Sequence, residues 1–387
     1  MAKKFSTTVR IVAHALSVRL TTLSRRRRPA LPCRILVAHH LLLGDTVLLS
    51  ALLAKLRARF PAAKIVLLTP LSMVPLYAGK PYGVEVWPFN PRDMRTVRAM
   101  RAQPTFDLAL VPGDNRHSWL AAALGAKWIV AHGGERRGYK SWMVDEFVDY
   151  PTEPQAMADI FADLIPGPAA APFRIADWPT PSCRSFDRPV APYAVLHVGA
   201  STPLKRWNPE RWRQLAEWLA SRGYGVVWSG GKNEGSIVAE IDPDRRYRSY
   251  AEQLDLAQLW QLFAGASILV SPDTGVSHLA RLVGTPTVTL FGPGSATLFG
   301  RGRFWQDSPR VDVTIEDFPC RDQQEQFSRV VPWVRRCGRS ISECPAARCM
   351  QAIAPDVVID AVERLLAQTA RDGANQRLMA HARQAST

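Results

Sequence analysis

Short apolar runs alternate with helical patterns along the first half of the chain. Arg34–Ala38 is followed by a loop and by the helical spacing of Thr46–Phe60, and Lys64–Thr69 then forms a second apolar run. Strand, helix and strand at this spacing are typical of a βαβ unit with a parallel sheet. The alternation continues and indicates an open doubly wound domain. Its further predicted strands are Val84–Trp87, Leu108–Val111 and Trp128–Ala131.

The pattern changes between residues 150 and 190, where eight prolines occur in a stretch with little periodicity. We interpret this stretch as an interdomain connection. The alternation then restarts and predicts a second βαβ-type domain. Its predicted strands are Tyr193–Val198, Gly225–Ser229, Ser267–Val270 and Thr287–Phe291, and its predicted helices are Pro209–Arg222, Leu256–Ala264 and Val276–Val283. Residues 355–369 predict a further amphipathic helix that starts with a proline.

Length and composition fit this organisation. A chain of 387 residues suggests two domains, and 47% hydrophobic with 21% charged residues is the composition of a globular protein, which excludes disordered and fibrous classes. We expect a basic amphipathic extension over residues 1–34, a first domain over 35–175 and a second over 176–354. Residues 355–387 then form a C-terminal helix and tail that can pack across the domains.

The net charge is concentrated at the amino end. The formal charge is +15, and residues 1–34 hold nine of the 49 cations and none of the 34 acidic residues, so the rest of the chain carries +6. Apolar residues at steps of three and four over residues 5–23, followed by Arg25–Arg28, are typical of a helix on an anionic bilayer. A solvated basic extension fits equally well. No nucleic-acid-binding pattern accompanies the charge, so we expect no nucleic-acid partner, and the arginines do not fit a secretory signal.

Six cysteines are too few and too unevenly spaced for a disulfide framework in a chain of this length. The last four, at positions 320, 337, 344 and 349, lack the CxxC spacing that makes zinc sites recognisable. We therefore expect reduced thiols in a cytoplasmic protein, with no metal site and no cofactor. A metal at these four positions remains an alternative at this stage.

A first candidate site loop joins the first predicted strand to its helix. Gly44 permits a tight turn there, and Asp45 lies at or beside the helix start. Loops at this edge of an open parallel sheet bind ligands. Asp45 is either a helix cap, worth about 1 kcal/mol, or a reactive carboxylate, and the residue chemistry alone favours the cap.

Two loops of the second domain are suited to phosphate. The loop at 199–207 carries two hydroxyl residues and a lysine, Ser201, Thr202 and Lys205. A solvated basic loop explains that segment equally well. The loop at 271–278 contains Asp273-Thr274-Gly275 and His278, and its backbone N–H groups at a helix start suit an anion, although Asp273 could equally be a cap. Together the three loops indicate a phosphate-bearing ligand held between the domains.

The residues from 273 to 293 occur in a characteristic order. They are Asp273-Thr274-Gly275, His278-Leu279-Ala280, Gly284, Pro286 and Leu290-Phe291-Gly292-Pro293. With this order the chain resembles the ADP-heptose:lipopolysaccharide heptosyltransferases of glycosyltransferase family 9 from about residue 35 to 369. The resemblance implies an α/β fold of GT-B architecture, in which two facing Rossmann-like domains with mainly parallel sheets hold the ligand in a cleft between them.

The resemblance also implies roles for individual residues. It makes Asp45 the general base that takes the proton of an acceptor hydroxyl in an inverting displacement. It assigns the donor phosphates to Ser201, Thr202 and Lys205, and to the segment of Asp273, Thr274, Gly275 and His278. Glu234 matches a carboxylate on the nucleotide ribose. No metal is implied.

Anionic core sugars are the acceptors that the resemblance implies. Arg136, Arg137 and Lys140 follow a Gly-Gly turn and are suited to anionic sugar groups. The arginines at 92, 95, 98 and 101 are a second candidate, but an exposed basic helix face explains them slightly better.

We therefore predict a peripheral enzyme on the cytoplasmic face of the inner membrane. It would transfer a sugar, with ADP-heptose as the expected donor, to an anionic lipopolysaccharide-type acceptor, and residues 1–34 would contact the anionic membrane surface. One alternative keeps the fold but uses another nucleotide sugar for a different surface glycan. Another is a membrane-associated nucleotide-sugar binding protein without turnover.

Overall fold

The computed structural model describes the backbone of residues 2–22 and 26–384, and the side chains of residues 7–21 and 26–372. Leu23 and Arg25 of the predicted tail pattern lie outside the described residues. The chain divides into two compact units. The first comprises Met1–Ser182, Thr297–Gln306 and Gln323–Val334, and the second comprises Cys183–Ala296, Asp307–Asp322 and Arg335–Thr387.

A six-stranded parallel sheet forms the centre of the first unit. Its strands β1 to β6 are Arg34–Val37, Lys64–Thr69, Glu85–Pro88, Leu108–Val111, Trp128–His132 and Glu146–Val148. Their order across the sheet is β3-β2-β1-β4-β5-β6. In the register, Val37 pairs with Leu67 on one side and with Leu110 on the other. Because the strands are parallel, the loops that follow them share one edge of the sheet.

The α-helices of the first half of the chain accompany this sheet. Helices α1 to α6 are Ala2–Thr22, Leu43–Leu48, Ser50–Arg59, Met94–Arg101, His117–Ala123 and Met157–Ala162. The single helix predicted over Thr46–Phe60 is two helices, which meet at Leu49. Helix α6 lies inside the proline-rich stretch that the sequence analysis interpreted as a connection. Six residues are too few for a helical period to stand out there.

The second unit repeats the architecture. Strands β7 to β12 are Tyr193–His197, Gly225–Ser229, Arg248–Ser249, Ile268–Pro272, Thr287–Phe291 and Arg310–Thr314. They are parallel in the order β12-β11-β10-β7-β8-β9. Helices α7 to α13 are Pro209–Ser221, Gly235–Ile241, Leu256–Ala264, Gly275–Val283, Ala296–Phe299, Arg348–Gln351 and Pro355–Gln384; all belong to this unit except α11, Ala296–Phe299, of which all but the first residue belong to the first unit. The prediction of two Rossmann-like domains with parallel sheets is confirmed.

Local sequence explains where the helices of the second unit begin and end. The side chain of Asn208 accepts a hydrogen bond from Glu210 N at 2.8 Å before α7, and Pro209 is its first residue. Asp255 and Gln258 form a capping box at the start of α9. Helix α10 ends at Gly284, whose φ of 78° is left-handed and therefore favours glycine.

The unit boundaries differ from the predicted domains. Two segments from the second half of the chain, 297–306 and 323–334, belong to the first unit, and the second unit begins at Cys183 rather than at residue 176. The later segment contains the antiparallel pair β13, Glu325–Gln326, and β14, Arg329–Val330. The local sequence pattern does not predict that these two segments belong to the first unit, because the residues that they contact there are distant in sequence.

The terminal helices pack on different units. Helix α1 lies against α5, and Ala15 is fully buried there. Helix α13 places Val358, Ala361 and Val362 in the core of the second unit. The helix predicted over residues 355–369 is therefore present and extends further along the chain. Among the residues described, no helix combines the length and the hydropathy that a membrane span requires.

Candidate functional site

The loop after β1 carries Asp45 into the first turn of α2. The N-cap of this helix is Leu42, with extended backbone, and Asp45 is the third helical residue. The interpretation of Asp45 as the cap is therefore wrong. A carboxylate in the first turn is stabilised by the partial positive charge of the helix start, and Asp45 is half-buried. This arrangement places the Asp45 carboxylate at the edge of the first sheet where the loops after the strands lie.

Tyr150 follows β6 and shares that edge. Its ring packs edge-on against His132 with centroids 5.2 Å apart, and the guanidinium of Arg329 lies 5.7 Å from its centroid. Burial raises the pKa of the Tyr150 phenol, Arg329 lowers it, and the negative charge of Asp45 raises it. Asp45 thus acts electrostatically on an aromatic hydroxyl that the sequence analysis did not identify.

Arg329 organises the loops after β4 and β5. Its side chain is buried and donates to the carbonyls of Gly113 and Gly133, both at 2.8 Å. It also donates to Asn115 Oδ1 at 2.7 Å and to His132 O at 2.9 Å. Several carbonyls at one sheet edge are thereby satisfied by one guanidinium. Since Arg329 lies about 200 positions after them, sequence reasoning missed it.

The predicted acceptor residues fall into two environments. Lys140 is buried, and its Nζ lies 3.1 Å from Asp114 Oδ2 and 2.5 Å from Glu135 Oε1. Burial opposes ionisation of Asp114, but hydrogen bonds, first from Arg116 and then from Lys140, hold the pKa of its carboxyl at about 2. Lys140 thus completes an internal charge network.

Arg136 and Arg137 follow the same Gly-Gly turn but are exposed. Arg136 Nη1 lies 3.0 Å from Glu325 Oε2, and its backbone N–H donates to Ser328 O at 3.0 Å. The three predicted acceptor residues are therefore near one another along the chain, but they differ in exposure. The side chains of Arg136 and Arg137 reach solvent, and that of Lys140 does not.

A histidine-rich segment lies between β1 and α2. His39 is fully buried, and its Nδ1 accepts a hydrogen bond from Leu41 N at 3.1 Å. Burial, with smaller contributions from His117 and His40, lowers the pKa of His39 to about 3. The imidazole is therefore neutral near pH 7, as the hydrogen bond to Nδ1 requires.

In the second unit, Lys205 and Asp273 join two of the predicted loops. Lys205 ends a short 3-10 helix, Pro203–Lys205, which Thr202 caps through its side chain. The ammonium donates to Asp273 O at 2.7 Å and to Asp273 Oδ2 at 3.0 Å. Asp273 is buried, and the N-cap of α10 is Thr274, so Asp273 does not cap this helix. The fold thus brings the 199–207 and 271–278 loops together.

The start of α10 completes this part of the second unit. Gly275 is its first residue, and the hydroxyl of Thr274 is buried with no hydrogen-bond partner among the described residues. A Cβ on Gly294 would lie 2.4 Å from Asp273 Oδ2, so only glycine lets the backbone approach so closely. Burial lowers the pKa of His278, and nearby cations, Lys205 among them, lower it further.

Glu234 lies over the loop that follows β7. Its Oε2 accepts a hydrogen bond from Gly231 N at 2.5 Å, and a Cβ on Gly199 would lie 1.7 Å from the same oxygen. The glycine therefore makes room for this carboxylate. Ser201, in the same loop, is exposed. The predicted donor residues accordingly cluster at the carboxyl edge of the second sheet.

The four cysteines from 320 to 349 carry free thiols in the second unit. Cys337 N donates to Pro293 O at 2.9 Å, and Cys349 packs beside Gly292. In the described part of the chain, no three His, Cys, Asp or Glu side chains are arranged to hold a metal ion. These contacts brace the loop after β11, which neighbours Asp273.

Comparison with known proteins identifies the family to which the chain is similar. The model of glycosyltransferase family 9 (heptosyltransferase) matches residues 94–331, more than half of the chain. Lipopolysaccharide heptosyltransferase 1 of Pseudomonas aeruginosa is 34% identical over 137 residues, which cover 34% of this chain and 36% of the relative. Lipopolysaccharide heptosyltransferase 2 of Escherichia coli is 25% identical over 298 residues, covering 68% and 83%. The chain spans about a third of the length of the first curated relatives that it matches.

A solved structure supports the fold. The structure of E. coli ADP-heptose lipopolysaccharide heptosyltransferase II has a TM-score of 0.64 and 20% identity, and the match covers 87% of this chain and 99% of that one. At this identity the likeness concerns the fold, and it agrees with the two parallel sheets described above.

Proposed function

The chain belongs to glycosyltransferase family 9, and we propose that it is an inverting glycosyltransferase that transfers heptose from ADP-heptose to a lipopolysaccharide core-type acceptor. The observation that carries the proposal is the convergence of Lys205, Asp273 and the start of α10 at one sheet edge. A cation beside backbone N–H groups at a helix start matches the chemistry of a diphosphate. The curated relatives named above are lipopolysaccharide heptosyltransferases.

In this proposal the second unit binds the donor. Lys205 and the hydroxyls of Ser201 and Thr202 donate hydrogen bonds to the diphosphate. The backbone at Thr274 and Gly275 adds the partial positive charge of the start of α10, and Asp273 and His278 are buried in the same segment. Glu234 is held above Gly199 and accepts hydrogen bonds from the nucleotide ribose.

In this proposal the first unit binds the acceptor and supplies the base. The acceptor hydroxyl oxygen attacks the anomeric carbon, the bond from that carbon to the diphosphate oxygen breaks, and the hydroxyl proton passes to the Asp45 carboxylate. The nucleoside diphosphate leaves with the bonding electron pair. Because attack and departure occur on opposite faces, the anomeric configuration inverts. Arg136 and Arg137 contact anionic acceptor groups, and Lys140 holds the loop that carries them.

Location follows from the acceptor. We place the enzyme on the cytoplasmic face of the inner membrane, where a lipid-borne acceptor is accessible, with residues 1–34 against the anionic surface. The exposed apolar side chains of α1 support this location.

The proposal is tested by incubating the protein with ADP-, GDP- and UDP-sugars and a soluble anionic core-type acceptor, with mass-spectrometric detection of the product. Product with ADP-heptose and inverted configuration by NMR is the expected result. Asp45→Asn should abolish turnover and leave donor binding measurable by calorimetry. Asp356→Asn is the matched control, since Asp356 also lies in the first turn of a helix, α13.

Three outcomes would contradict parts of this assignment. Full turnover by Asp45→Asn would exclude Asp45 as the base. Product only with a GDP- or UDP-sugar would indicate a different surface glycan. Donor binding without product in a single-turnover assay would indicate a binding protein.

A further inference from the structure

A tight turn joins strands β13 and β14 of the first unit. Gln326 pairs with Arg329, so Phe327 and Ser328 form the turn, and their φ angles of 48° and 60° are both left-handed. Hairpin turns with this backbone normally use asparagine and glycine, because larger side chains are strained there. Backbone strain of this kind persists only where surrounding contacts hold it, and it is concentrated at ligand-binding and catalytic sites. The β13–β14 hairpin, residues 325–330, is therefore a candidate part of the acceptor site.

One side of the hairpin contacts the loop that leads to Asp45. A Cβ added to Gly113 would lie 3.2 Å from the ring of Phe327 and 3.2 Å from Leu41 Cδ2, so both side chains pack against this glycine. Leu41 belongs to the loop between β1 and α2, and Asp45 follows it in the first turn of α2. Arg329 donates to Gly113 O at 2.8 Å and keeps the hairpin in this position. The turn of the hairpin therefore lies beside the loop that carries the proposed base.

The other side of the hairpin contacts the loop after β5, which carries the proposed acceptor arginines. Arg136 N donates to Ser328 O at 3.0 Å, and Arg136 Nη1 donates to Glu325 Oε2 at 3.0 Å. The side chains of Arg136 and Glu325 are 59% and 32% exposed, so solutes can reach this ion pair. Arg137 is also exposed and forms no ion pair with any residue that the structure describes. One of the two guanidinium groups is thus covered by a carboxylate of the protein itself.

The position of the hairpin restricts where an acceptor can lie. A glycan that offers a hydroxyl to Asp45 and an anionic group to Arg136 must pass along the hairpin, because the hairpin contacts both loops. On Arg136 the Glu325 carboxylate holds the place that a carboxylate or phosphate of the acceptor would take, since all these groups bind a guanidinium through paired oxygen atoms.

We propose that Glu325 is a specificity-determining residue that occupies the Arg136 guanidinium in the free protein and is displaced from it by the anionic group of the acceptor. This competition lowers the affinity of Arg136 for anions. The product of the transfer keeps the same anionic group, so the competition also helps the product to leave. The inference rests on the proposed function for an acceptor that extends from Asp45 to Arg136, and it adds the residue that sets how strongly this site prefers charged over neutral glycans.

Titration calorimetry with the full chain tests the proposal and requires no turnover. The probes are a soluble core oligosaccharide that bears carboxylate groups and the same oligosaccharide with these groups converted to neutral methyl esters. Glu325→Gln should bind the carboxylated probe about fivefold more tightly than the wild type, because an exposed ion pair is a weak competitor. It should bind the ester with unchanged affinity, since a neutral group does not exchange with Glu325. In steady-state kinetics the same variant should lower the KM for the acceptor by a similar factor and leave the KM for the donor unchanged.

Glu85→Gln is the matched control. Glu85 forms a similarly exposed ion pair with Lys64, at 2.9 Å, and both residues begin their strands, at the sheet edge opposite to the hairpin. The variant changes the net charge equally and should bind both probes like the wild type. Arg136→Met should bind the carboxylated probe more weakly than the wild type. Arg136→Met/Glu325→Gln should bind it like Arg136→Met alone, because Glu325 acts through this arginine.

Three results would overturn the proposal. The first is weaker binding of the carboxylated probe by Glu325→Gln, which would show that Glu325 orients Arg136 for its ligand. The second is equal binding of that probe by Glu325→Gln and the wild type, and the third is an equal gain of Glu325→Gln for the ester. Equal binding of both probes by the wild type, or binding of neither, would contradict the anionic acceptor of the proposed function and this inference with it. The two kinds of failure are distinguishable, since only the latter concerns the wild type.

Discussion

The ammonium of Lys205 donates at once to the backbone carbonyl of Asp273, at 2.7 Å, and to its carboxylate, at 3.0 Å. Sixty-eight positions separate the two residues in the chain. The pair fixes the lysine between two ligand loops and compensates the charge of a buried carboxylate. The cation that the proposal assigns to the diphosphate is therefore already oriented by the protein.

Lys205→Ala should reduce kcat/KM for the donor by about 100-fold, since a charged hydrogen bond is worth about 1.5–3 kcal/mol. Removal of the partner also leaves Asp273 buried without its cation. Steady-state kinetics and calorimetry with ADP check this expectation. Lys232→Ala is the control, because Lys232 is an exposed lysine in the neighbouring Glu234 loop. Unchanged ADP affinity in Lys205→Ala would contradict the role.

Gly199→Ala should weaken donor binding by about tenfold while the protein still folds. The new Cβ would meet Glu234 Oε2 at 1.7 Å, and the flexible glutamate side chain can swing away at little cost to the fold. Gly225→Ala is the matched control, since its nearest contacts begin at 3.5 Å. By calorimetry, the double variant Gly199→Ala/Glu234→Ala should bind the donor little more weakly than Gly199→Ala alone, because both changes take away the same Glu234 carboxylate. Additive losses would argue against this explanation.

Arg329→Met should lower the free energy of unfolding of the first unit by about 3 kcal/mol or more, because several buried carbonyls lose their donor at once. Urea unfolding followed by tryptophan fluorescence measures the change. Arg136→Met removes an exposed arginine whose ion pair with Glu325 lies at the surface, and it should cost at most about 1 kcal/mol. Equal effects of the two substitutions would refute the structural role of Arg329.

The buried His39 predicts a pH dependence of stability. Its pKa is lowered to about 3 in the folded protein, below the value of about 6.5 in an unfolded chain. The unfolded state therefore binds more protons between these values, and stability falls as the pH falls from about 6.5 towards 3. Each such group contributes a slope of about 1.4 kcal/mol per pH unit.

His39→Asn keeps a side-chain acceptor for Leu41 N but removes the titrating group. Its unfolding free energy, measured by urea at pH 7, 6 and 5, should depend less steeply on pH than that of the wild type, by about that slope. Parallel curves for the two proteins below pH 6 would show that His39 is not the source. Above pH 8 the curves should be parallel in any case.

Much of the architecture could be predicted from the sequence because buried parallel strands leave a strong local signal. Leu108–Val111, Gly225–Ser229 and Thr287–Phe291 have the predicted bounds, since each is an apolar run that ends in turn residues. Helix Leu256–Ala264 also has its predicted bounds, and its start carries a capping box. Short elements such as α6 were missed because so few residues cannot show a clear helical period.

The candidate site was predictable only in part. Ordered motifs indicated Asp45 and the loops of Lys205 and Asp273, but the cap that the local pattern favoured at Asp45 is not formed. Arg329 and Tyr150 carry no motif, and their position next to the predicted loops depends on contacts across long sequence separations.

The sequence by itself determined the two parallel sheets, the family-specific order of residues from 273 to 293, and the concentration of charge in residues 1–34. These properties are local, because strand burial, turn chemistry and charge density depend on residues that are neighbours in the sequence. Only the tertiary structure decided that Lys205 pairs with Asp273, that Arg329 belongs to the first unit, and that Arg19, Arg26 and Arg28 pair with Asp145 and Glu146. Buried charges need specific partners, and the chain brings those partners together only when its sheets are assembled.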